Sequence, residues 1–226
     1  YLKRKDVRLA LTKGYLLREG GEDSLKHLLM SPSQKGSAAD EDGKLCSSAA
    51  GKWIAPNFMY LLVNVVNRQS KRSEKDRFIT MKCLRAILQF LPPSDSPQYM
   101  SQIMTAINNA ISCSTESSTC KENVRQISKL NFLAVATLFD YIKIVASNNS
   151  SQVAENLTTI TVALFPLFDG PENTLARRRA VQMLEWLASG DADENLPLCF
   201  NEIPFLPFTQ DLEKVRDLLV KQGVQL

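Results

Sequence analysis

The chain is punctuated at regular intervals by proline, glycine and serine clusters, and between them apolar residues recur at helical spacing. No segment shows the sustained two-residue alternation of a half-buried strand, so the only regular structure open to it is helix packed on helix. Met100, Ile103, Met104, Ile107 and Ile111 illustrate the pattern: one apolar stripe, ready to bury against a neighbour.

Read in order, the stripes define the elements. Val7, Leu9, Leu11, Tyr15 and Leu16 fit a first helix ended by Gly20-Gly21, and a short piece follows through Leu25 and Leu29. Residues 31–51 are rich in Ser, Gly, Ala and Asp with almost no large apolar side chain, as expected of an accessible surface loop. Ile54, Phe58, Leu61, Leu62, Val65 and Val66 resume the helical pattern, with Pro56 near its first turn. Ser73 and Asp76 stand in capping-box spacing before Phe78, Met81, Leu84, Ile87 and Leu88, and Pro92-Pro93 stop that helix.

Ser96-Pro97 reads as the cap and first residue of the Met100 helix, and 112–119 as a polar linker. Thr119 and Glu122 then open a long helix to about Ala146. Its stripe of Leu130, Leu133, Leu138, Phe139, Ile142 and Val145 is widened by Phe132, Val135 and Ile144, so it should be central and covered on more than one side. Val153, Leu157, Ile160, Leu164, Phe165 and Phe168 predict another helix, which Pro166 kinks or ends. Leu175, Ala180, Met183, Leu184 and Leu187 predict one closed by Ser189-Gly190. The proline-punctuated stretch 197–207 cannot be helical throughout, and Thr209 caps a last helix. These helices pair into hairpins of about 40 residues, the period of HEAT-type repeats, which predicts an all-α fold: an α-solenoid of HEAT-like antiparallel hairpins. The expected division is 1–72 for the first hairpins, with the loop at 31–51, and 73–222 for the remainder.

Composition narrows the functional classes. At 44% hydrophobic and 23% charged residues the chain is of ordinary globular type. A formal charge of +3, from 27 basic and 24 acidic side chains, provides no overall field towards nucleic acid or anionic membrane. No apolar run nears the roughly 20 residues that span a bilayer, and Tyr1-Leu2-Lys3-Arg4-Lys5 lacks the apolar core of a signal peptide. Five cysteines without CxxC spacing fit a reducing compartment. Cys113 and Cys120 with the single histidine, His27, do not make up a zinc ligand set.

No residue pattern specifies chemistry. The glycines form neither a GxGxxG nor a GxxxxGK loop, and His27, near Glu22 and Asp23, reads as a solvated helix residue. Neither catalytic, cofactor-binding nor metal-binding residues are expected. Arg177-Arg178-Arg179 and the group Lys71, Arg72, Lys75 and Arg77 read as solvated helix faces. Nucleic-acid binding through these local basic patches is the rival reading. Asn148, Asn149 and Asn156 match the glycosylation pattern by chance, and Ser33 in the 31–51 loop is the candidate modification site.

Four stretches carry a resemblance: Glu74-Lys75-Asp76-Arg77 opening a helix, Gln102-Ile103-Met104, Val162-Ala163-Leu164-Phe165-Pro166-Leu167, and Glu202-Ile203-Pro204-Phe205-Leu206-Pro207. In their order, from 73 to 219, the chain resembles the UME domain of ATR-type serine/threonine protein kinases of the phosphatidylinositol-kinase-related family. The hairpin ending near Asn67 resembles the one preceding that domain.

The resemblance implies a non-catalytic, HEAT-like scaffold of a nuclear kinase that answers DNA damage and stalled replication. Its partners would be the ATR-interacting regulatory protein and other parts of the parent kinase, whose catalytic domain, with ATP and magnesium, would lie far C-terminal. A kinase of that type favours Ser or Thr followed by Gln, which makes Ser33-Gln34 a self-modification candidate. A generic HEAT-type adaptor is the alternative. On physical grounds Pro166 should bend a buried helix, while Pro204 and Pro207 should hold Ile203, Phe205 and Leu206 extended as a buried apolar clasp between helices.

Overall fold

The computed structural model describes residues 74–88, 91, 93–116, 121–169, 174–191, 193–203 and 205–225. The expectations for the first helices, the 31–51 loop, His27, Ser33, Lys71, Arg72 and Pro204 lie outside them. Among the described residues there is no strand, and the fold is all-α. The chain divides into two compact units, Tyr1–Asp95 and Ser96–Leu226, so the boundary read at 72/73 falls inside the first.

In the first unit the described element is α1, Glu74–Leu88, with Met81, Leu84, Ile87 and Leu88 buried at helical spacing together with the small thiol of Cys83. The second unit begins within a 3-10 stretch, Pro93–Tyr99, that winds directly into α2, Met100–Glu116. The helix onset therefore moves from Pro97 to Met100. Ser96 does not act as an exposed cap: it is buried, and its carbonyl accepts the hydroxyl proton of Tyr141. Helix α2 also runs through 112–116, where a linker was expected. Ser, Cys and Thr each cost under about 0.7 kcal/mol relative to Ala, too little to stop a helix already wound by its apolar stripe.

Helix α3, Lys121–Ala146, is the centre of the unit. Leu130 and every residue from Leu133 to Phe139 are buried, and so are Tyr141, Ile142 and Val145, which leaves its middle with no solvent-facing side. The coverage comes from α2 and α6, Leu175–Ser189, with the short α4, Ser150–Glu155, adding to it. Thr137 is tolerated here because its hydroxyl donates to the Leu133 carbonyl at 2.7 Å, satisfying itself within its own helix. Burial also drives the Tyr141 phenol pKa far above its ordinary value, with a smaller contribution from Tyr99, so this side chain is a neutral donor.

The single helix expected after Asn149 is broken into α4 and α5, Leu157–Val162, with Asn156 between them, then a 3-10 turn, Phe165–Leu167, that contains Pro166. Proline ends the helix rather than bending it. The apolar positions nevertheless keep their register, and Val153, Leu157, Ile160, Leu164 and Phe168 are all buried. Helix α6 is capped by Thr174, whose hydroxyl accepts from Arg177 N–H at 3.2 Å, and it ends at Gly190 in the left-handed region, φ 79°.

A 3-10 turn, Pro197–Glu202, an extended stretch and a second 3-10 turn, Gln210–Leu212, lead into α7, Glu213–Lys221, which packs on α6. Gly223, φ 83°, closes α7 in a Schellman motif: Val224 N–H donates to Leu219 O and Gly223 N–H to Val220 O, each at 3.0 Å, with Val224 and Leu219 both buried.

If α3 is the packing centre, Leu138→Ala should cost about 2–5 kcal/mol, whereas Leu175→Ala, at an exposed position opening α6, should stay within about 0.5 kcal/mol. Urea unfolding midpoints of the two variants measure this, and equal midpoints would show that α3 is not the centre.

Candidate interaction surface

The C-terminal segment from Pro197 is where polar chemistry and exposed apolar surface meet. It is anchored by Arg177, which leaves the arginine triplet and turns inward, only 3% exposed. Its Nε donates to the Asp211 carboxylate, its Nη1 to the Phe168 carbonyl at 3.2 Å, and its guanidinium lies 5.5 Å from the Phe168 ring centre. One side chain thus joins α6, the end of the Pro166 turn and the Gln210–Leu212 turn. A buried guanidinium is tolerable only with such partners.

The expectation of a solvated Arg177-Arg178-Arg179 face is corrected accordingly. Arg179 stacks 4.6 Å from the Phe139 ring centre and lies 3.8 Å from Asp140, while Arg178 is exposed. The pattern missed this because three consecutive helical residues point in three directions, about 100° apart.

A second arginine, Arg216 on α7, fixes the extended stretch. It donates to the carbonyls of Pro207 and Thr209, both at 2.9 Å, and its guanidinium carbon sits 5.0 Å from the ring centre of Phe208. Thr209 N–H also donates to the Pro207 carbonyl at 3.0 Å, making a tight turn whose tip is Phe208. Thr209 does not cap α7 with its side chain. Its Oγ1 is buried without a hydrogen-bond partner, and the Gln210–Leu212 turn intervenes.

The clasp residues divide. Ile203 and Leu206 are buried and Pro207 is half-buried, but Phe205 is 57% exposed and meets the Phe165 ring edge-on, centroids 6.5 Å apart. The expectation that Phe205 is buried beside Leu206 is therefore overturned. Burial here repeats every three residues: Ile203, Leu206 and the Thr209 hydroxyl face inward, Phe205 and Phe208 outward. Ile203, with φ −81° and ψ 117°, begins the stretch in extended backbone.

Open hollows lie elsewhere on the second unit. One, of about 480 Å³, is lined by Asn108, Thr158, Thr159, Val162, Ala163 and Pro166; the other, of about 340 Å³, by Lys143, Ala146, Ser147, Trp186 and Asp191. Beside the second, Lys143 Nζ lies 4.3 Å from the Phe139 ring centre and 5.6 Å from that of Trp186. Among the described residues no group of three His, Cys, Asp or Glu side chains could hold a metal ion, and no helix is long and apolar enough to cross a membrane.

Ser150 donates to Asp193 across the unit, and Asp193 also accepts from Asn195 N–H at 2.8 Å. These bonds, the Ser150 hydroxyl first, hold the Asp193 carboxyl below the ordinary aspartate range. Cys199 is the reverse case, raised chiefly by burial and then by the charges of Glu202 and Asp193, so its thiolate is disfavoured.

No family model, curated protein or solved structure matches the chain.

Leu206→Ala should cost about 2–5 kcal/mol as a buried truncation, whereas Phe205→Ala should lose little beyond one aromatic edge contact, about 1 kcal/mol. Comparable losses in denaturant midpoint would return Phe205 to the core. Because folding lowers the Asp193 pKa, the stability it contributes is complete above the unfolded value near 4 and declines as pH falls through and below it. Ser150→Ala should therefore flatten the acid limb of a plot of stability against pH, and an unaltered limb would rule the pair out as its source.

Proposed function

We infer that the chain is a non-catalytic helical scaffold and protein-interaction segment of an ATR-like checkpoint serine/threonine kinase, built as HEAT-like hairpins. The observation that carries this reading is the coincidence of its two most specific sequence stretches. Val162 to Leu167 and Glu202 to Pro207, the most telling of the family-like segments, are tied together by the Phe165–Phe205 contact. In support, the described residues of the second unit form helices and turns packed on one another, with the aromatic side chains of Phe205 and Phe208 exposed.

On this reading the segment works in the nucleus within a kinase that responds to DNA damage and replication stress. It spaces and presents surfaces to the ATR-interacting regulatory protein or to other parts of the kinase, and the phosphoryl-transfer site lies elsewhere. Within the Arg177-Arg178-Arg179 triplet, Arg177 turns inward to Asp211 and Phe168 and Arg179 lies against Phe139, so Arg178 is its exposed member.

The test is retention of the regulatory partner of an ATR-type kinase, and separately of the remaining kinase chain, by the purified 226-residue chain, with circular dichroism confirming its helical fold. Retention of either is expected. A folded chain that holds neither would refute the reading.

A further inference from the structure

Polar side chains on the helices of the second unit mostly find a partner within their own backbone. Thr105, Thr137 and Thr161 turn their hydroxyls back to the carbonyl four residues earlier, at 2.8, 2.7 and 2.8 Å. Asn148 and Asn156 do the same with their side-chain amides, at 3.1 and 2.8 Å. Asn108 on α2 and Thr158 and Thr159 on α5 do not, and their side chains make no hydrogen bond to a described residue. All three line one hollow, of about 480 Å³, whose remaining wall is Val162, 44% exposed, with Ala163 and Pro166. The hollow thus pairs free hydrogen-bonding groups from two helices with an apolar side.

That pairing selects among occupants. No ionisable side chain lines the hollow, so a charged ligand would give up its hydration without meeting an opposite charge. A wholly apolar ligand would strip water from the amide and the hydroxyls and leave them unpaired. A helical segment offers them little main chain, because its N–H and C=O groups are bonded to one another. Extended backbone suits both sides: each peptide unit carries one N–H and one C=O, the complement of an Asn amide and a Thr hydroxyl, and successive side chains alternate towards and away from the surface. The hollow is open to solvent, as a polypeptide that continues beyond it requires.

We propose that this hollow is a docking groove for an extended, uncharged segment of a partner protein. Asn108, Thr158 and Thr159 read its peptide units, and its apolar side chains rest on Val162, Ala163 and Pro166. This rests on the reading of the chain as an interaction segment and is independent of its kinase membership.

The experiment is selection of short unstructured peptides, displayed on phage, against the whole 226-residue chain. The winners should be poor in Lys, Arg, Asp and Glu, and their affinity should change little between low and high salt. Asn108→Leu and Thr158→Val keep side-chain size while removing the hydrogen-bonding groups, and each should weaken binding about tenfold. An unchanged circular-dichroism spectrum and denaturant midpoint establish that the variants are folded. Replacing one peptide bond of a winner by an ester removes a single N–H. At the bond that Asn108 reads, this should weaken binding to the wild type but not further weaken binding to Asn108→Leu.

A library that yields no binder, or binders indifferent to both substitutions, would overturn the proposal. So would winners rich in charge whose affinity falls with salt. Sedimentation showing a dimer of the wild-type chain that Asn108→Leu dissolves would also overturn it, since the groove would then belong to a second copy. A kinase partner retained equally by wild type and both variants would remove the groove while leaving the scaffold reading intact.

Discussion

Everything in the second unit depends on the middle of α3 having no side that faces water. A helix covered on all sides cannot choose its neighbours by a single stripe, so its partners are fixed by volume: α2 closes one flank, α4 and α6 the others. Polar groups survive there only where they are satisfied, as Thr137 is within its own helix and Tyr141 is at the Ser96 carbonyl. Helix α6, seated on α3, then becomes the base on which α7 and the C-terminal turns are laid.

The outer layer is held by directional bonds instead. Arg216 holds the stretch before Gln210 through the Pro207 and Thr209 carbonyls, and Arg177 holds the turn that follows it through Asp211. Both guanidiniums donate to main-chain carbonyls, Arg216 to those of Pro207 and Thr209 and Arg177, beside the Asp211 carboxylate, to that of Phe168. Phe205 and Phe208 are left exposed.

Much of the architecture was legible from residue order. The stripe of α2 is buried as expected, as are Leu130, Leu133, Leu138, Phe139, Ile142 and Val145 of α3 and Ala180, Met183, Leu184 and Leu187 of α6, whereas Leu175 at the start of α6 is exposed; Gly190 ends α6 where Ser189-Gly190 suggested. Boundaries were less legible. The overrun of α2 to Glu116 and the breaks at Asn156 and Pro166 reflect helix ends governed by differences of a few tenths of a kcal/mol per residue, which packing readily outweighs. The 3-10 entry through Pro93–Tyr99 could not be separated from an N-cap by the Ser-Pro pair alone.

The sequence by itself determined that this chain is helical, where its apolar faces lie, and that the 197–207 stretch cannot be helical throughout, because periodicity and proline act locally along the backbone. Tertiary structure alone decided that Arg177 is buried while Arg178 is exposed, that Phe205 leaves the clasp Leu206 completes, and that the Thr209 hydroxyl stays uncapped. Each of these depends on what approaches from a distant part of the chain: Asp211 reaching α6, Phe165 reaching Phe205, Arg216 reaching the Pro207 and Thr209 carbonyls. No local pattern encodes such meetings, since they follow from how the helices stack around α3.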